Sequence, residues 1–263
     1  MNLETSRLTL VDMVLPDQSN HHGTLFGGAA LAMLDKLAFI LGSKILRGSI
    51  VTAAVSQIDF RAPVPLGSLT EATGIVVRRG RRSVTIDAEL MAEDILSGHR
   101  ISCVRGQFVM VATEAVAAPP AVCPPDIDTV ASCVAEIVFP GHTNHRGILH
   151  GGPAMAWLAK ASFAAASRHA RLPLVMASSE RLDFLAPARV GDVVEITARV
   201  TDVRRRSLTV EAEMAAESPP SGERRQCTKV SFVFVAIGED GRPIGLDSAS
   251  AMSLARGSGE GDA

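Results

Sequence analysis

The chain has 263 residues, of which 47% are hydrophobic and 21% charged. Its formal net charge is −2 and its sequence pI about 6.4. The length allows two ordinary domains with full cores, and the charge balance excludes nucleic-acid binding through a general basic field.

The amino terminus, Met1-Asn2-Leu3-Glu4-Thr5-Ser6-Arg7, lacks the basic-then-apolar pattern of a secretion signal. A short strand is expected at about 8–14, followed by a glycine-rich loop. A long apolar helix then runs from 27 to about 46. Asp35 and Lys36 sit in the middle of this apolar stretch, so it reads as a buried helix and not as a stable membrane insertion. Four strands follow, at 51–60, 69–77, 83–91 and 101–111. The third alternates Val84, Ile86, Ala88 and Leu90 with Thr85, Asp87 and Glu89. A Pro/Ala-rich linker is expected at 113–128.

The whole pattern then recurs at a constant shift of 124 residues. Asn20, Gly23, Gly27-Gly28, Lys36, Asp59-Phe60, Ala62-Pro63, Gly67, Arg82-Ser83 and Cys103 answer to Asn144, Gly147, Gly151-Gly152, Lys160, Asp183-Phe184, Ala186-Pro187, Gly191, Arg206-Ser207 and Cys227. The expected organisation is therefore two copies of one domain, at 1–112 and 129–238. A loosely ordered Gly/Ser/Ala/Asp tail is expected at 239–263. One early helix apolar nearly all round, with about five strands, implies an α+β fold: an antiparallel sheet wrapped around one long central helix. Cys103, Cys123, Cys133 and Cys227 form no C-x-x-C pair, and a chain this rich in core needs no disulfide framework. A reduced cytoplasm is the expected location.

Asn20-His21-His22-Gly23-Thr24-Leu25-Phe26-Gly27-Gly28, followed by Leu34-Asp35-Lys36, resembles the hotdog-fold thioesterases of the acyl-CoA hydrolase branch. The likeness extends over about residues 5–237. The second copy, with Ile148-Leu149-His150-Gly151-Gly152, is closer to phenylacetate-pathway thioesterases. The resemblance implies two hotdog domains in tandem and hydrolysis of acyl-CoA thioesters of fatty acid metabolism. It implies no cofactor beyond the CoA of substrate and product. It also implies a homo-oligomer, a trimer of tandem chains.

Several residues carry the expected chemistry. Gly27 and Gly151 open helices whose free N–H groups suit an oxyanion hole, and Gly152 permits close approach of CoA. Asn20 and Asn144 are in place to donate to the same carbonyl or to shape the loop. Asp35 lies within an apolar helix, where an aspartate is unfavourable unless it is used or paired. The resemblance gives it the role of general base or nucleophile, and the residues leave the two open. Asp35 stands eight residues after Gly27, about 12 Å along the helix, too far to act on a carbonyl held there. Acid and donors are thus expected from two antiparallel helices, and the repeat supplies both. Ala159 replaces the acid in the second copy. The complete set is Asp35 with Asn144 and Gly151, and the degenerate set is Ala159 with Asn20 and Gly27.

Arg81, Arg82 and Ser83, and Arg205, Arg206 and Ser207, are candidates for the CoA phosphates, with a solvated hairpin turn as the alternative. No metal site is expected: His142, His145 and His150 lack a nearby Cys or carboxylate, and Gln18 and Phe26 replace two of them in the first copy. Two rival functions are a non-catalytic acyl-CoA-binding module, which Asp35 disfavours, and an enoyl-CoA hydratase, whose Asp/His motif is not found.

Overall fold

The structure, a computed structural model, describes residues 7–113, 132–180, 182–238 and 240–248. The first domain contains β1 (Arg7–Met13), α1 (Gly27–Leu46), β2 (Ile50–Phe60), β3 (Leu69–Arg79), β4 (Ser83–Glu93) and β5 (Arg100–Ala112). The second repeats the order with β6 (Ser132–Ile137), α2 (Gly151–Ala170), β7 (Leu174–Ser179), β8 (Val193–Val203), β9 (Ser207–Glu217) and β10 (Arg224–Ala236). Each sheet is antiparallel, in the orders β1-β3-β4-β5-β2 and β6-β8-β9-β10-β7. The tandem hotdog arrangement expected from the sequence is present. Beyond Thr113, the linker expected at 113–128 lies outside the described residues. Of the tail expected to be loosely ordered, residues 240–248 are described. They turn back on the second domain, where Ile244 and Leu246 pack on its core and the Leu246 N–H reaches the Arg205 carbonyl at 2.9 Å.

Each helix is seated by its apolar stripe. Leu34, Leu37, Ile40 and Leu41 of α1 are buried against Ile86, Leu90, Phe108 and Met110 of the sheet. Burying such side chains contributes roughly 1.5–3 kcal/mol each. Coverage is less complete than the sequence suggests. Gly28 and Ala32 are exposed and Leu31 and Asp35 half-buried, because the sheet ends at β2, whose residues 51–57 are themselves exposed. On α2, Gly152, Met155 and Ala156 are likewise exposed.

The domains meet on the other side. β1 lies beside β6, and Val11 and Leu69 pack with Ala164 of α2. At the centre, Lys160 reaches Asp12 at 2.8 Å and Lys36 reaches Glu136 at 3.2 Å, with reciprocal pairs at 3.6 and 3.8 Å. The helix C-termini extend this contact crosswise. Lys44 of α1 and Arg47, its C-cap, pair with Glu195 and Glu217 of the second sheet at 2.5–3.2 Å. Arg168 of α2 and Arg171, its C-cap, pair with Glu71 and Glu93 of the first at 2.7–3.0 Å. Arg100 and Arg224 complete the clusters on Glu71 and Glu195. Cations at helix C-termini also meet the negative end of the dipole.

Burial alone would raise the Glu93 carboxyl, but Arg168 and Arg171 outweigh it and hold it below the usual range. Lys44 and Arg224 do the same for Glu195. A depressed folded pKa means stabilisation that is full above the unfolded carboxyl value and lost as pH falls through the folded one. The urea midpoint should therefore be flat at neutral pH and drop below about pH 4.5. Glu93→Gln with Glu195→Gln should flatten that drop while lowering neutral stability. An unchanged acid limb in the double variant would show that these carboxylates do not hold the domains.

Candidate active site

The described contacts give Asp35 one partner. The hydroxyl of Thr52, on β2, donates to Asp35 Oδ1 at 2.7 Å. The carboxylate is not neutralised by its neighbour Lys36, which points to the opposite face and joins the interdomain cluster. Asp35 therefore stands half-buried at the open side of α1, one oxygen oriented by Thr52 and the other free to meet a ligand or water. Thr52 was not singled out from sequence, since threonine is ordinary in a strand. The repeat carried a signal that could have found it: at the shift of 124, Thr52 becomes Met176, so the acid and the hydroxyl are lost together.

The two asparagine loops look alike but differ in one respect. Asn20 Oδ1 accepts from the backbone N–H of His22 at 2.9 Å and Thr24 at 3.3 Å, while its Nδ2 donates to Thr24 Oγ1 at 3.0 Å. Asn144 Oδ1 accepts from Arg146 at 2.9 Å and Ile148 at 3.2 Å. Ile148 replaces Thr24 and has no acceptor side chain, so among the described residues the Asn144 amide hydrogens are unspent.

The helix starts differ too. No side chain caps either helix, which leaves the first-turn N–H groups available. A side chain at Gly152 would meet nothing within 4 Å, and one at Gly151 only the Phe184 ring at 3.6 Å. Packing within the chain therefore does not require glycine there, whereas close approach by a ligand does. At the start of α1 the Phe26 ring lies over Gly28, 2.7 Å from where a Cβ would stand. Beside it an open cavity of about 300 Å³ is lined by Leu25, Gly27, Ala30, Phe60, Arg61 and Val104.

The structure brings Asn144 to the start of α2, where the His150 N–H reaches the His142 carbonyl at 2.9 Å. Among the described residues, no hydrogen bond or ion pair joins Asp35 to Asn144 or Gly151, nor Ala159 to Asn20 or Gly27. Asn20, Gly27, Asp35, Asn144, Gly151 and Ala159 are all half-buried.

Strand register places the arginine runs. Thr52 pairs with Met110, and Met110 with Val84, so Arg81, Arg82 and Ser83 lie at the Thr52 end of the sheet. β4 is two strands from β2, about 10 Å. Arg82 spends one nitrogen on the Ala112 carbonyl at 2.8 Å. Arg205, Arg206 and Ser207 occupy the matching place beside Met176.

Among the described residues, no three His, Cys, Asp or Glu side chains are placed to share a metal ion, and no helix is long and apolar enough to cross a membrane. Cys103, Cys133 and Cys227 are buried and unpaired. Burial, then the charge of Glu195, pushes the Cys133 thiol up to about 12, and burial raises Cys103 and Cys227 as well. None of the three is poised as a nucleophile.

Comparison with known proteins matches residues 22–98 and 146–223 to the thioesterase superfamily. The chain is similar to a cytosolic acyl coenzyme A thioester hydrolase of Mus musculus, 21% identical over 90% of this chain and 76% of the relative. It is 36% identical to an uncharacterized acyl-CoA thioester hydrolase of Zymomonas mobilis over 42% of this chain and 74% of that protein. Among solved structures, an acyl-CoA hydrolase from Agrobacterium tumefaciens superposes with a TM-score of 0.80 at 38% identity, over 91% of this chain and 97% of that one.

Four differences separate the degenerate set from the complete one: Ala159 for the acid, Met176 for the hydroxyl, Thr24 bonded to the Asn20 amide, and Phe26, where the second copy has His150, over Gly28. In an Asp35→Ala background, Ala159→Asp alone should leave hydrolysis, followed by thiol release, undetectable. Ala159→Asp with Met176→Thr and Thr24→Ile should recover measurable turnover. Full recovery by the single change would show that Thr52 and the free amide are dispensable.

Proposed function

The chain belongs to the thioesterase superfamily and is an acyl-CoA thioester hydrolase, and on that premise we propose that Asp35 and Thr52 act together with Asn144 and Gly151 on the thioester. The single observation that carries this reading is the Thr52–Asp35 hydrogen bond at the open face of α1. Thr52 fixes Oδ1 and leaves Oδ2 to take a proton from water. The water oxygen attacks the thioester carbon, and the carbonyl oxygen gathers negative charge. The Gly151 N–H and the Asn144 amide stabilise that charge, each good donor contributing roughly 3–4 kcal/mol. Collapse breaks the carbon–sulfur bond. The Asp35 carboxylic acid returns its proton to the CoA thiolate, giving free acid and CoA. This general-base route needs no metal and no redox group.

The Arg81–Arg82–Ser83 hairpin lies at the Thr52 end, so it serves the CoA phosphates of this site. Arg205, Arg206 and Ser207 flank the degenerate one. Buried, unpaired cysteines and the cytosolic relative support action in a reduced cytoplasm. The trimer of tandem chains remains the proposed assembly.

Asp35→Ala should abolish turnover without unfolding the chain, and Thr52→Ala should lower kcat about 10-fold. Asn144→Ala should lower kcat about 10²-fold, and Asn20→Ala far less. Steady-state kcat on one good acyl-CoA, with circular dichroism as folding control, decides. A dead Asn20 variant beside a normal Asn144 variant would overturn the assignment. For recognition, Arg81→Ala should raise KM for acyl-CoA but not for a short pantetheine thioester, and Arg205→Ala should do neither. Added salt should likewise raise KM for acyl-CoA more, because exposed charge contacts are screened over about 8 Å at physiological ionic strength. Equal responses of the two substrates would remove the phosphate contact.

A further inference from the structure

We propose that the cavity at the start of α1 is a second ligand site, which holds the carboxylate of a free acyl chain and does no chemistry on it. This rests on reading Asp35 with Asn144 and Gly151 as the working set. The cavity then belongs to the degenerate set, and its lining lies wholly within the first domain. Leu25 and Gly27 come from the helix entry, Phe60 and Arg61 from the end of β2, and Val104 from β5.

The walls decide what fits. Leu25, Ala30, Phe60, Pro63 and Val64 are apolar, and about 300 Å³ stands at the lower end of small-molecule sites, room for a short acyl chain. One charged side chain, Arg61, completes the lining. Its backbone is fixed, with the N–H donating to the Cys103 carbonyl at 2.7 Å. Its Nε donates to Asp59 Oδ2 at 2.7 Å, in a pair whose side chains are 42% and 56% exposed. Among the described residues its two terminal nitrogens have no partner, which leaves the guanidinium free to grip a carboxylate. No side chain caps α1, so the first-turn N–H groups at Gly27 bring a partial positive charge to the same wall. An apolar chain ending in an anion satisfies both the walls and the charge.

The second copy lacks this combination. At the shift of 124, Arg61 becomes Leu185, which is 71% exposed, and Val104 becomes Thr228, whose hydroxyl is spent on the Asp183 carbonyl at 2.8 Å. The partners of the two donor ends differ in the same sense. In the working set the donors meet Asp35, whose charge repels a carboxylate at close range. In the degenerate set they meet Ala159, which neither repels an anion nor activates water. A free acid, the product class of thioester hydrolysis, is thus disfavoured at the working site and attracted to the other.

Calorimetric titration of the full chain with octanoate tests this, with acetate and octanol as probes of charge alone and chain alone. Octanoate should saturate the wild type, acetate should show no saturable binding, and octanol should bind about 10-fold more weakly or less. This comparison decides without any variant. Arg61→Leu, which takes the residue of the second copy, removes only an exposed ion pair, so the fold and the turnover of a good acyl-CoA should be unchanged. It should weaken octanoate about 10-fold and leave octanol as it was. Asp35→Ala should bind octanoate as the wild type does, and a changed affinity there would put the ligand at the working site and overturn the proposal. Equal octanoate binding by wild type and Arg61→Leu, or no octanoate binding at all, overturns the proposal while leaving the catalytic reading in place. An Arg61→Leu chain that is folded by circular dichroism but has lost turnover would put the working site at this cavity and overturn the catalytic reading as well.

Discussion

The crosswise ion pairs at the helix C-termini govern what the rest of the molecule can do. Each helix ends in two cations that reach past their own domain to a pair of glutamates on the other sheet. The same five positions, Lys44, Arg47, Glu71, Glu93 and Arg100, recur as Arg168, Arg171, Glu195, Glu217 and Arg224. Lys44 and Glu93 are nearly excluded from water, at 8% and 3% side-chain exposure, so their pairing is little screened. Removing one partner of such a cluster typically costs about 3–5 kcal/mol, because the remaining charge is left uncompensated. Each helix C-terminus is thereby held against the other sheet, Lys44 and Arg47 at Glu195 and Glu217, and Arg168 and Arg171 at Glu71 and Glu93.

A second constraint comes from the helix itself. A rise of 1.5 Å per residue separates an acid at position 35 from donors at position 27 by about 12 Å. No side-chain rotamer of aspartate spans that distance. A thioester held at a helix start has to be met by an acid from another helix running the opposite way.

Much of this was legible in the sequence. The repeat fixed the domain count, and the bounds of α1 and the succession of helix and strands along the chain followed from apolar periodicity, whereas the strand order within the sheet did not. Asp35 stood out as a charge inside an apolar helix, and Ala159 by comparison with it. Thr52 did not stand out, because its value depends on being opposite Asp35 across the helix–sheet contact, and spacing of 17 residues carries no periodic signal. The difference between the two asparagines was hidden for a similar reason. It lies in Thr24 against Ile148, a change that reads as ordinary until the hydrogen bond to the amide is seen. The coverage of α1 was overestimated, because apolar composition does not distinguish surface buried by the chain's own sheet from surface left for a partner. The relation between the domains was likewise unreadable: lysines and glutamates far apart in sequence announce nothing until the fold sets them face to face.

The pattern of decay between the repeats is itself an argument about how the halves combine. The first domain has the acid and hydroxyl, Asp35 and Thr52, but its donor end is more crowded: one Asn20 amide hydrogen is spent on Thr24 and Phe26 lies over Gly28. The second domain keeps an open donor end, with Asn144 unspent and Gly152 uncrowded, but has lost the acid and hydroxyl to Ala159 and Met176. If each domain used its own residues, each would join a sound half to a spoiled one, and the protein would have no working site. If halves combine across domains, one site collects every sound residue and the other collects every spoiled one. Loss of function in one half of a shared site removes the constraint on its other half, wherever that half lies in the chain. The differences at 159 and 176 and those at 24 and 26 then fall in one and the same set, although they lie in different domains.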